Sequence, residues 1–508
     1  MNLIFKIMGT IFISFLTIHL SMAQIQMGST LEGEGNNDVM GYSVSISGDG
    51  NRIIIGSRYS SDTSRGGAGR FTGHASVYDW NGSNWIEKGA PIYGERKDDL
   101  SGSAVSISSD GNVIAIGAPL NNSNGSDAGQ VRVFVWENER WVQRGIALLG
   151  THARDQAGQS LALSADGSLI AIGASRNDAA GTDAGQVRIF QWKNGEWTQL
   201  GNTLLGTDAG DRFGVRMGLS SDGHTIAIGG NGNDVASKNA GFAQIYHYNG
   251  LDWIQQGQDI YGMTRGGEFG YSITLSADGR TLAVGSPRAD HEANSLGYVQ
   301  VYAWNESTWV QQGPTIYGDD NGDYFGFSIA LSDNGKQLAV GAPFNRDDGY
   351  LTGQTQIYER LDQDWIQMGE TLYGETAVEL SGYSVDLSAD GSRVIIGASE
   401  FIADGSVVGN GKTRIFNLNG LISSVEDFES SIAVRLYPNP TQQYLQIEGI
   451  DQAYDIFLFD LNGRLRAIYS NTNQNQFLDL SGLTNGTYLL SIRPKNKGPW
   501  ISKKITKK

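Results

Sequence analysis

The dominant pattern in this chain is a pair of strands joined by an Asp-Gly turn. In residues 269–287, an alternating apolar and polar segment leads to Asp278-Gly279, and a nearly continuous apolar run follows. Asp-Gly supplies the positive φ angles of a tight hairpin turn, so the pattern predicts two antiparallel strands. The pattern occurs seven times at a period of about 56 residues, which indicates a repeat architecture. The turns are Asp-Gly at 49, 110, 166, 222, 278 and 390, and Asp333-Asn334-Gly335.

Each repeat continues with a third strand and a Trp-led fourth strand that ends in glycine. Residues 25–33 repeat the pattern of residues 365–374, whereas the last repeat, residues 382–416, lacks its fourth strand. An open array would leave unpaired strand edges at both ends. The sequence therefore predicts an all-β fold, a seven-bladed β-propeller closed by the N-terminal strand.

The two ends of the chain differ from the repeats. Residues 1–23 carry one early lysine, a short and interrupted apolar run and small residues at positions 21 and 23, as a cleaved secretory signal peptide does; an uncleaved anchor is the alternative. We assign residues 24–420 to the propeller and residues 421–433 to a polar linker. Short alternating strands in residues 434–508 predict a small Ig-like β-sandwich.

Composition excludes several classes of function. Lys and Arg number 37 against 54 Asp and Glu, a net charge of −17, so the chain repels a phosphate backbone and nucleic acid is not a predicted partner. The sequence has no cysteine, which excludes disulfides, thiolate metal sites and a cysteine nucleophile.

Two sets of acidic residues recur in the loops at one end of the blades. In a propeller, both sets ring one mouth of the central channel, where they would suit Ca²⁺, a cationic partner or the hydroxyl groups of a carbohydrate. The alternative is that each carboxylate caps its own loop by accepting backbone N–H groups. The first set is Asp38, Asp99, Asp155, Asp211, Asp323 and Glu379. The second set is Asp178, Asp234, Asp290 and Asp347.

One segment within these loops has the spacing of a calcium ligand set. Asp319, Asn321 and Asp323 alternate as the first ligands of an EF-hand loop do. Tyr324 stands where that loop needs glycine, and Ala330 stands where it needs glutamate. The three residues are therefore a weak match, and Ca²⁺ is the cofactor they would hold.

Paired aromatic residues flank the turn between the third and fourth strands, as at Trp136 and Trp141. Exposed tryptophans would stack on sugar rings. Because the pair recurs in nearly every blade, we expect instead that it staples the outer hairpin.

The repeats resemble a known family. Phe269-Gly270 and Phe325-Gly326, followed by residues 285–287 and 341–343, are similar to the FG-GAP repeats of integrin α-subunit propellers. The resemblance implies the propeller fold. The calcium loop of that family is not carried over, because the Asp-Gly turn leaves no room for several oxygen ligands.

The C-terminal segment resembles a second family more specifically. Residues 437–440 (YPNP), 460–463 (DLNG), 480–488 and the final Lys503-Lys504-Ile505 are similar, in order, to the C-terminal sorting domain of the type IX (Por) secretion system of Bacteroidetes. The resemblance implies Sec export and then outer-membrane passage by the type IX machinery. It places the product outside a Gram-negative cell or on its outer-membrane surface, with no transmembrane segment after signal cleavage.

Two functional classes follow from these observations. The first is a non-catalytic propeller that binds a glycan, a protein or a surface outside the cell. The second is an extracellular enzyme acting on polysaccharide, a glycoside hydrolase or lyase, with a carboxylate pair in the channel mouth. An enzyme needs residues that differ from blade to blade, whereas these loops are nearly uniform, so the sequence favours binding and predicts no catalytic residue.

Overall fold

The computed structural model describes residues 23–33, 38–61, 68–290, 295–400, 409–420, 435–448, 454–460, 465–472, 477–494 and 501–508. The predicted signal peptide, apart from Ala23, and the predicted linker lie outside these residues. The described elements are all β-strands, which confirms the all-β prediction. The chain divides into two compact units, residues 1–419 and 420–508. No described helix is long and apolar enough to cross a bilayer.

The first unit begins with β1 (Ala23–Gln26) and β2 (Leu31–Glu32). Blade 1 contains β3 (Met40–Ile46), β4 (Arg52–Ser57), β5 (His74–Trp80), β6 (Trp85–Glu87) and β7 (Ile92–Tyr93). Blade 2 contains β8 (Ala104–Ile107), β9 (Val113–Ala118), β10 (Gln130–Glu137), β11 (Arg140–Gln143) and β12 (Leu148–Leu149). Blade 3 contains β13 (Ser160–Leu163), β14 (Leu169–Ala174), β15 (Gln186–Lys193), β16 (Glu196–Gln199) and β17 (Leu204–Leu205).

Blade 4 contains β18 (Arg216–Leu219), β19 (Thr225–Gly230), β20 (Phe242–Tyr248), β21 (Trp253–Gln255) and β22 (Ile260–Tyr261). Blade 5 contains β23 (Ser272–Leu275), β24 (Thr281–Ser286), β25 (Tyr298–Trp304), β26 (Trp309–Gln311) and β27 (Ile316–Tyr317). Blade 6 contains β28 (Ser328–Leu331), β29 (Gln337–Ala342), β30 (Gln354–Leu361), β31 (Asp364–Gln367) and β32 (Leu372–Tyr373). Blade 7 contains β33 (Ser381–Leu387), β34 (Arg393–Ala398) and β35 (Lys412–Gly420), together with β1 and β2.

The outermost strand of each blade differs from the sequence prediction. We expected one continuous fourth strand, but two short strands pair with the third strand, as β6 and β7 both pair with β5. The chain turns between them at Gly89, whose φ is +75°. A glycine in this left-handed conformation interrupts the ladder and shifts the register between the two short strands.

The second strand of each blade forms the core. All six residues of β9 are buried, and Ile53, Ile54 and Ile55 of β4 have no exposed surface. Strands that pack against neighbouring sheets on both faces have no polar side, which explains the nearly continuous apolar runs in the sequence.

The Asp-Gly turns of all seven blades are joined by backbone hydrogen bonds. One residue in each turn donates its N–H to the carbonyl of the equivalent residue in the next blade, at 2.8–3.0 Å. The series returns to its start, because Ala389 of blade 7 donates to Gly48 of blade 1. In order, the donors are Gly48, Ser109, Ala165, Ser221, Ala277, Asp333 and Ala389.

The N-terminal segment forms the outer edge of blade 7. Strand β1 is the neighbour of β35, and Leu31 of β2 faces Thr413 in the antiparallel register. The backbone N–H of Met27 donates to the carbonyl of Ile415 at 2.8 Å, and the Met27 side chain is buried. The last repeat therefore obtains its outermost strands from residues at the start of the chain.

The second unit is a small all-β domain. Its strands are β36 (Arg435–Tyr437), β37 (Tyr444–Glu448), β38 (Tyr454–Asp460), β39 (Leu465–Thr472), β40 (Phe477–Asp479), β41 (Gly486–Pro494) and β42 (Ile501–Lys507). They form one sheet in the order β36-β37-β40 and a second in the order β39-β38-β41-β42. Residues such as Leu445, Ile456 and Ile505 form one buried cluster drawn from both sheets, as in a β-sandwich.

Candidate functional site

The first set of loop acids lies below the surface of the channel mouth. All six side chains, Asp38, Asp99, Asp155, Asp211, Asp323 and Glu379, are at most 3% exposed. Asp155 is typical: its Oδ2 accepts hydrogen bonds from the backbone N–H groups of Thr151 and His152, each at 2.9 Å, and its Oδ1 accepts from Asn177 Nδ2 at 3.0 Å. A ligand at the mouth would meet such carboxylates only behind the loop backbone.

The partners of these acids recur from blade to blade. Asp99, Asp211 and Glu379 also accept from backbone N–H groups three and four residues earlier in the chain. An asparagine amide from the following loop bonds Asp99, Asp155, Asp211 and Asp323. Glu379 instead lies 3.1 Å from Arg414 Nη2. The same bonds in successive blades hold two loops of each blade together.

The second set, Asp178, Asp234, Asp290 and Asp347, is exposed. Asp178 Oδ1 accepts from the backbone N–H of Asp183 at 2.9 Å, and Asp290 Oδ1 accepts from Ser295 Oγ at 2.6 Å. These exposed carboxylates add negative charge to the loops at this end of the blades.

The weak calcium candidate does not converge on one point. Asp319 accepts from Gln356, Asn321 accepts from the backbone of Ser295, and Asp323 accepts from Asn345. Burial, together with the nearby Asp320 and Asp347, raises the pKa of Asp323 to about 6. Among the described residues, no group of three or more His, Asp or Glu side chains is placed to hold a metal ion.

The tryptophan pairs lie on the outside of the blades and join each blade to its neighbour. Trp136 and Trp141 face each other across β10 and β11 with ring centroids 5.1 Å apart. Trp141 Nε1 donates to the carbonyl of Lys88 in blade 1 at 2.9 Å, and Trp85 Nε1 donates to Met27 at 3.0 Å. The fourth-strand tryptophans are therefore structural, as the recurrence of the pairs predicts.

The channel contains a cavity of about 260 Å³ whose lining differs from blade to blade. The residue after the repeat glycine is aromatic in four consecutive blades and is not aromatic in the other three. The four aromatic residues, Tyr271, Phe327, Tyr383 and Tyr42, form a continuous arc with successive ring centroids 4.9, 4.9 and 5.1 Å apart. The other three residues are Ser103, Gln159 and Val215.

The next repeat position carries a second departure. Five blades have serine there, and each hydroxyl donates to the glycine carbonyl of the following blade, as Ser272 does to Gly326 at 2.6 Å. Blade 4 has Arg216 instead, and Arg216 lines the cavity. Its Nη1 donates to the carbonyl of Val215 at 2.9 Å, and its guanidinium lies 5.9 Å from the centroid of the Tyr271 ring. In the described part of the chain, no carboxylate forms an ion pair with Arg216.

Two arginines change the ionisation of the aromatic arc. Burial raises the pKa of Tyr42, but the positive charges of Arg58 and Arg216 outweigh burial and hold that pKa below its usual value. The Arg58 guanidinium lies over the Tyr42 ring at 4.3 Å. Burial and the neighbouring Tyr42 and Tyr271 rings raise the pKa of Tyr383 well above its usual value. The centre of the mouth is therefore aromatic and cationic, in contrast with its acidic rim.

One carboxylate lies deeper in the channel wall. Asp386 Oδ2 accepts from Ser45 Oγ at 2.9 Å and from the backbone N–H of Ile46 at 3.0 Å. Burial raises its pKa to about 6. Among the described residues that line the cavity, Asp386 is the sole carboxylate.

The recurring motifs of the repeats do not predict this cavity. The signal was present at positions 42, 103, 159, 215, 271, 327 and 383, because aligning the repeats on the preceding glycine shows four aromatic residues in adjacent blades. The position that follows shows Arg216 among serines and one alanine. Tyr42, Phe327, Tyr383 and Arg216 depart from the recurring pattern, and all four line the cavity.

Comparisons with known proteins identify the C-terminal unit. Residues 435–508 match the family model described as the secretion system C-terminal sorting domain. The C-terminal unit is therefore similar to a type IX sorting domain. This match indicates export through the type IX secretion machinery to the cell surface or the extracellular space.

Two solved structures of low sequence identity are similar to much of the chain. No curated protein matches the chain. The chain is similar to a Bacteroides uniformis protein described provisionally as a 6-phosphogluconolactonase, at 14% identity and a TM-score of 0.46, over 66% of this chain and 85% of that one. It is also similar to PorZ, an essential surface component of the type IX secretion system of Porphyromonas gingivalis, at 14% identity and a TM-score of 0.42, over 95% of this chain and 61% of that one. The FG-GAP resemblance stays a prediction from sequence motifs.

Proposed function

We propose that this protein is a non-catalytic binding protein, exported by the type IX system, whose propeller binds an extracellular glycan or protein at the channel mouth. The observation that carries this proposal is the aromatic arc of Tyr271, Phe327, Tyr383 and Tyr42. Three of its members, Tyr42, Phe327 and Tyr383, line the cavity. These aromatic residues are not needed to build a blade, since blades 2, 3 and 4 fold without them. Partly exposed aromatic residues lining a cavity are typical of ligand sites.

We propose the same division of the chain as the sequence predicts: residues 1–23 as signal peptide, 24–420 as propeller, 421–433 as linker and 434–508 as sorting domain. The change from one compact unit to the next at Asn419 and Gly420 supports the second boundary. In this proposal the product acts outside a Gram-negative cell or on its outer-membrane surface.

The alternative is an enzyme that cleaves polysaccharide. Asp386 favours it, because a pKa near 6 suits general acid catalysis. A glycoside hydrolase of the usual type needs two carboxylates about 5–10 Å apart, and the described lining of the cavity supplies one. The geometry therefore supports binding better than hydrolysis.

The test is a screen of the full chain against immobilised polysaccharides and surface proteins, scored both for retention and for release of soluble product. We expect retention without product. Phe327→Ala should reduce retention, whereas Tyr350→Ala should not, because Tyr350 is 61% exposed at the rim and outside the cavity lining. Equal retention of the two variants would show that the channel mouth is not the binding site. Product release by the unchanged protein would favour the enzyme.

A further inference from the structure

Building on the proposed binding role of the channel mouth, we propose that its ligand is an acidic carbohydrate. One sugar unit enters the cavity, and Arg216 binds the carboxylate or sulfate group that this unit carries. The argument uses the charge of Arg216, the shape of the aromatic arc, the polar wall of the cavity and the acidic rim.

Arg216 occupies a position where the fold prefers serine. Ser43, Ser160, Ser272, Ser328 and Ser384 each bond the next blade at this position, with donor–acceptor distances of 2.6–2.8 Å. Blade 4 forgoes that bond. An arginine that replaces a structural hydrogen bond and lines a cavity gives the site a positive charge at a cost to packing between blades, which points to a role in binding.

The guanidinium of Arg216 has donors to spare. Arginine carries five N–H donors in a planar fork that fits carboxylate and sulfate oxygens, and Val215 accepts one of them. The guanidinium carbon lies over the face of the Tyr271 ring, 5.9 Å from the ring centroid. A flat cation held in this way favours a planar, bidentate anion over a neutral hydroxyl.

The aromatic arc and the wall fit a sugar. Aromatic faces pack against the C–H groups of a pyranose ring, and hydroxyl and amide side chains bond its hydroxyls. Gln159 Oε1 accepts from Ser175 Oγ at 2.6 Å, so the amide nitrogen is the end of Gln159 left to donate. The cavity, about 260 Å³, lies just below the range of about 300–1,000 Å³ that holds drug-sized ligands. It therefore admits one sugar unit and not a run of several.

The acidic rim favours a short oligosaccharide, or the end of a longer one, over a long polyanion. Asp178, Asp234, Asp290 and Asp347 are exposed around the mouth, and the whole chain carries a net charge of −17. A long polyanion lying across the face would be repelled, whereas a short acidic oligosaccharide brings one anionic unit to Arg216 with few charges near the rim. Asp386, deeper in the wall, disfavours an anionic group at the floor, so the acid group stays near the mouth.

The experiment measures binding of defined probes to the full chain by calorimetry at low and moderate salt. The probes are trigalacturonate, a chondroitin sulfate tetrasaccharide, neutral cellotetraose and a Glu-rich peptide. We expect an acidic oligosaccharide to bind, cellotetraose at least tenfold more weakly, and the Glu-rich peptide not to bind. Arg216→Ser installs the residue that five other blades have, so the fold should tolerate it, and it should weaken binding about tenfold to a hundredfold. Arg212→Ser removes the same charge from an exposed residue of the same blade outside the cavity and should change binding less than twofold.

Each other outcome overturns the proposal. Equal binding of neutral and acidic probes, with no effect of Arg216→Ser, would keep the channel as a ligand site and refute the acidic class. Preference for the Glu-rich peptide would show that the ligand is a protein and not a sugar. If no probe binds, the acidic carbohydrate is wrong, while the broader binding role then depends on the separate screen of polysaccharides and proteins. Near-ultraviolet circular dichroism of both variants checks that the blades remain folded.

Discussion

The hydroxyl of Ser384 donates a 2.8 Å hydrogen bond to the backbone carbonyl of Gly41, 343 residues away in the chain. Ser384 belongs to blade 7 and Gly41 to blade 1. The same bond joins consecutive blades elsewhere, from Ser43 to Gly102 and from Ser328 to Gly382, each at 2.8 Å. The contact between the last and first blades is thus chemically the same as the contacts within the array.

This equivalence predicts matched effects of mutation. Ser384→Ala and Ser272→Ala should each lower the free energy of unfolding by about 1–2 kcal/mol, because each leaves a glycine carbonyl without its hydroxyl donor. Denaturant titration measures both. If Ser384→Ala costs much less than Ser272→Ala, blades 7 and 1 do not stay joined in solution.

The N-terminal segment should stabilise blade 7 from outside. Deleting residues 23–33 removes the strands that pair with β35 and the buried side chain of Met27, so we expect a loss of about 3–5 kcal/mol and faster amide exchange in β35. A synthetic peptide of residues 23–33 should restore protection, since an exposed strand edge accepts an added strand. Unchanged exchange in β35 after the deletion would contradict the pairing.

The buried loop acids should behave as structural residues. Asp155→Ala removes a carboxylate that accepts from two backbone N–H groups, a hydroxyl and an amide, so we expect a loss of about 3–5 kcal/mol in the free energy of unfolding. Asp178→Ala, which loses one exposed bond, should cost less than about 1 kcal/mol. Thermal denaturation compares the two, and equal effects would refute the capping role of Asp155.

Asp386 should make the fold less stable as pH rises. Its pKa is raised to about 6 in the folded protein from 3.8, chiefly by burial, so the folded state favours the protonated form. The stability that protonation adds is fully present below about pH 4 and is lost as pH rises through 6, at most about 3 kcal/mol. Asp386→Asn stays neutral, so its melting temperature relative to the unchanged protein should increase from pH 4 to pH 7.

Asp390 gives the opposite trend and serves as the control. Burial raises its pKa, but hydrogen bonds from Ser392 and Ser388 outweigh burial and lower that pKa below 3.8. Its contribution is present above about pH 4 and is lost in acid. Asp390→Asn should therefore lose stability relative to the unchanged protein as pH rises from 3 to 5, and parallel curves for the two variants would show that neither carboxylate governs the pH dependence.

The sorting domain should depend on a buried lysine of its final strand. Lys507 is 7% exposed, and its Nζ donates to the carbonyls of Ser481 and Leu483. Lys507→Ala leaves both carbonyls without this donor, so we expect about 1–3 kcal/mol less stability of this domain and less protein on the cell surface. Lys508→Ala, at an exposed position, is the control. Surface labelling measures export. Equal signals from the two variants would show that export does not depend on the Lys507 contacts.

The sequence by itself determined the blade. In blade 1, Ser47, Asp49 and Gly50 form the hairpin turn through local bonds, since Asp49 accepts from Ser47 Oγ and from the backbone N–H of Asn51. Such bonds depend only on nearby residues. The seven repeats and the unpaired N-terminal copy also predicted which segments lie side by side. These features are readable because they recur at a fixed period.

The tertiary structure decided which of the residues singled out from the sequence are buried and which residues line the cavity. The acids chosen from the sequence, such as Asp99 and Asp155, are buried because backbone N–H groups of their own loop and an asparagine amide from a second loop of the same blade cover them. The cavity formed by Tyr42, Phe327, Tyr383 and Arg216 exists only because the ring brings residues from blades 1, 4, 6 and 7 around one axis. A contact of that kind depends on the sum of all blade-to-blade rotations, which no local sequence pattern encodes.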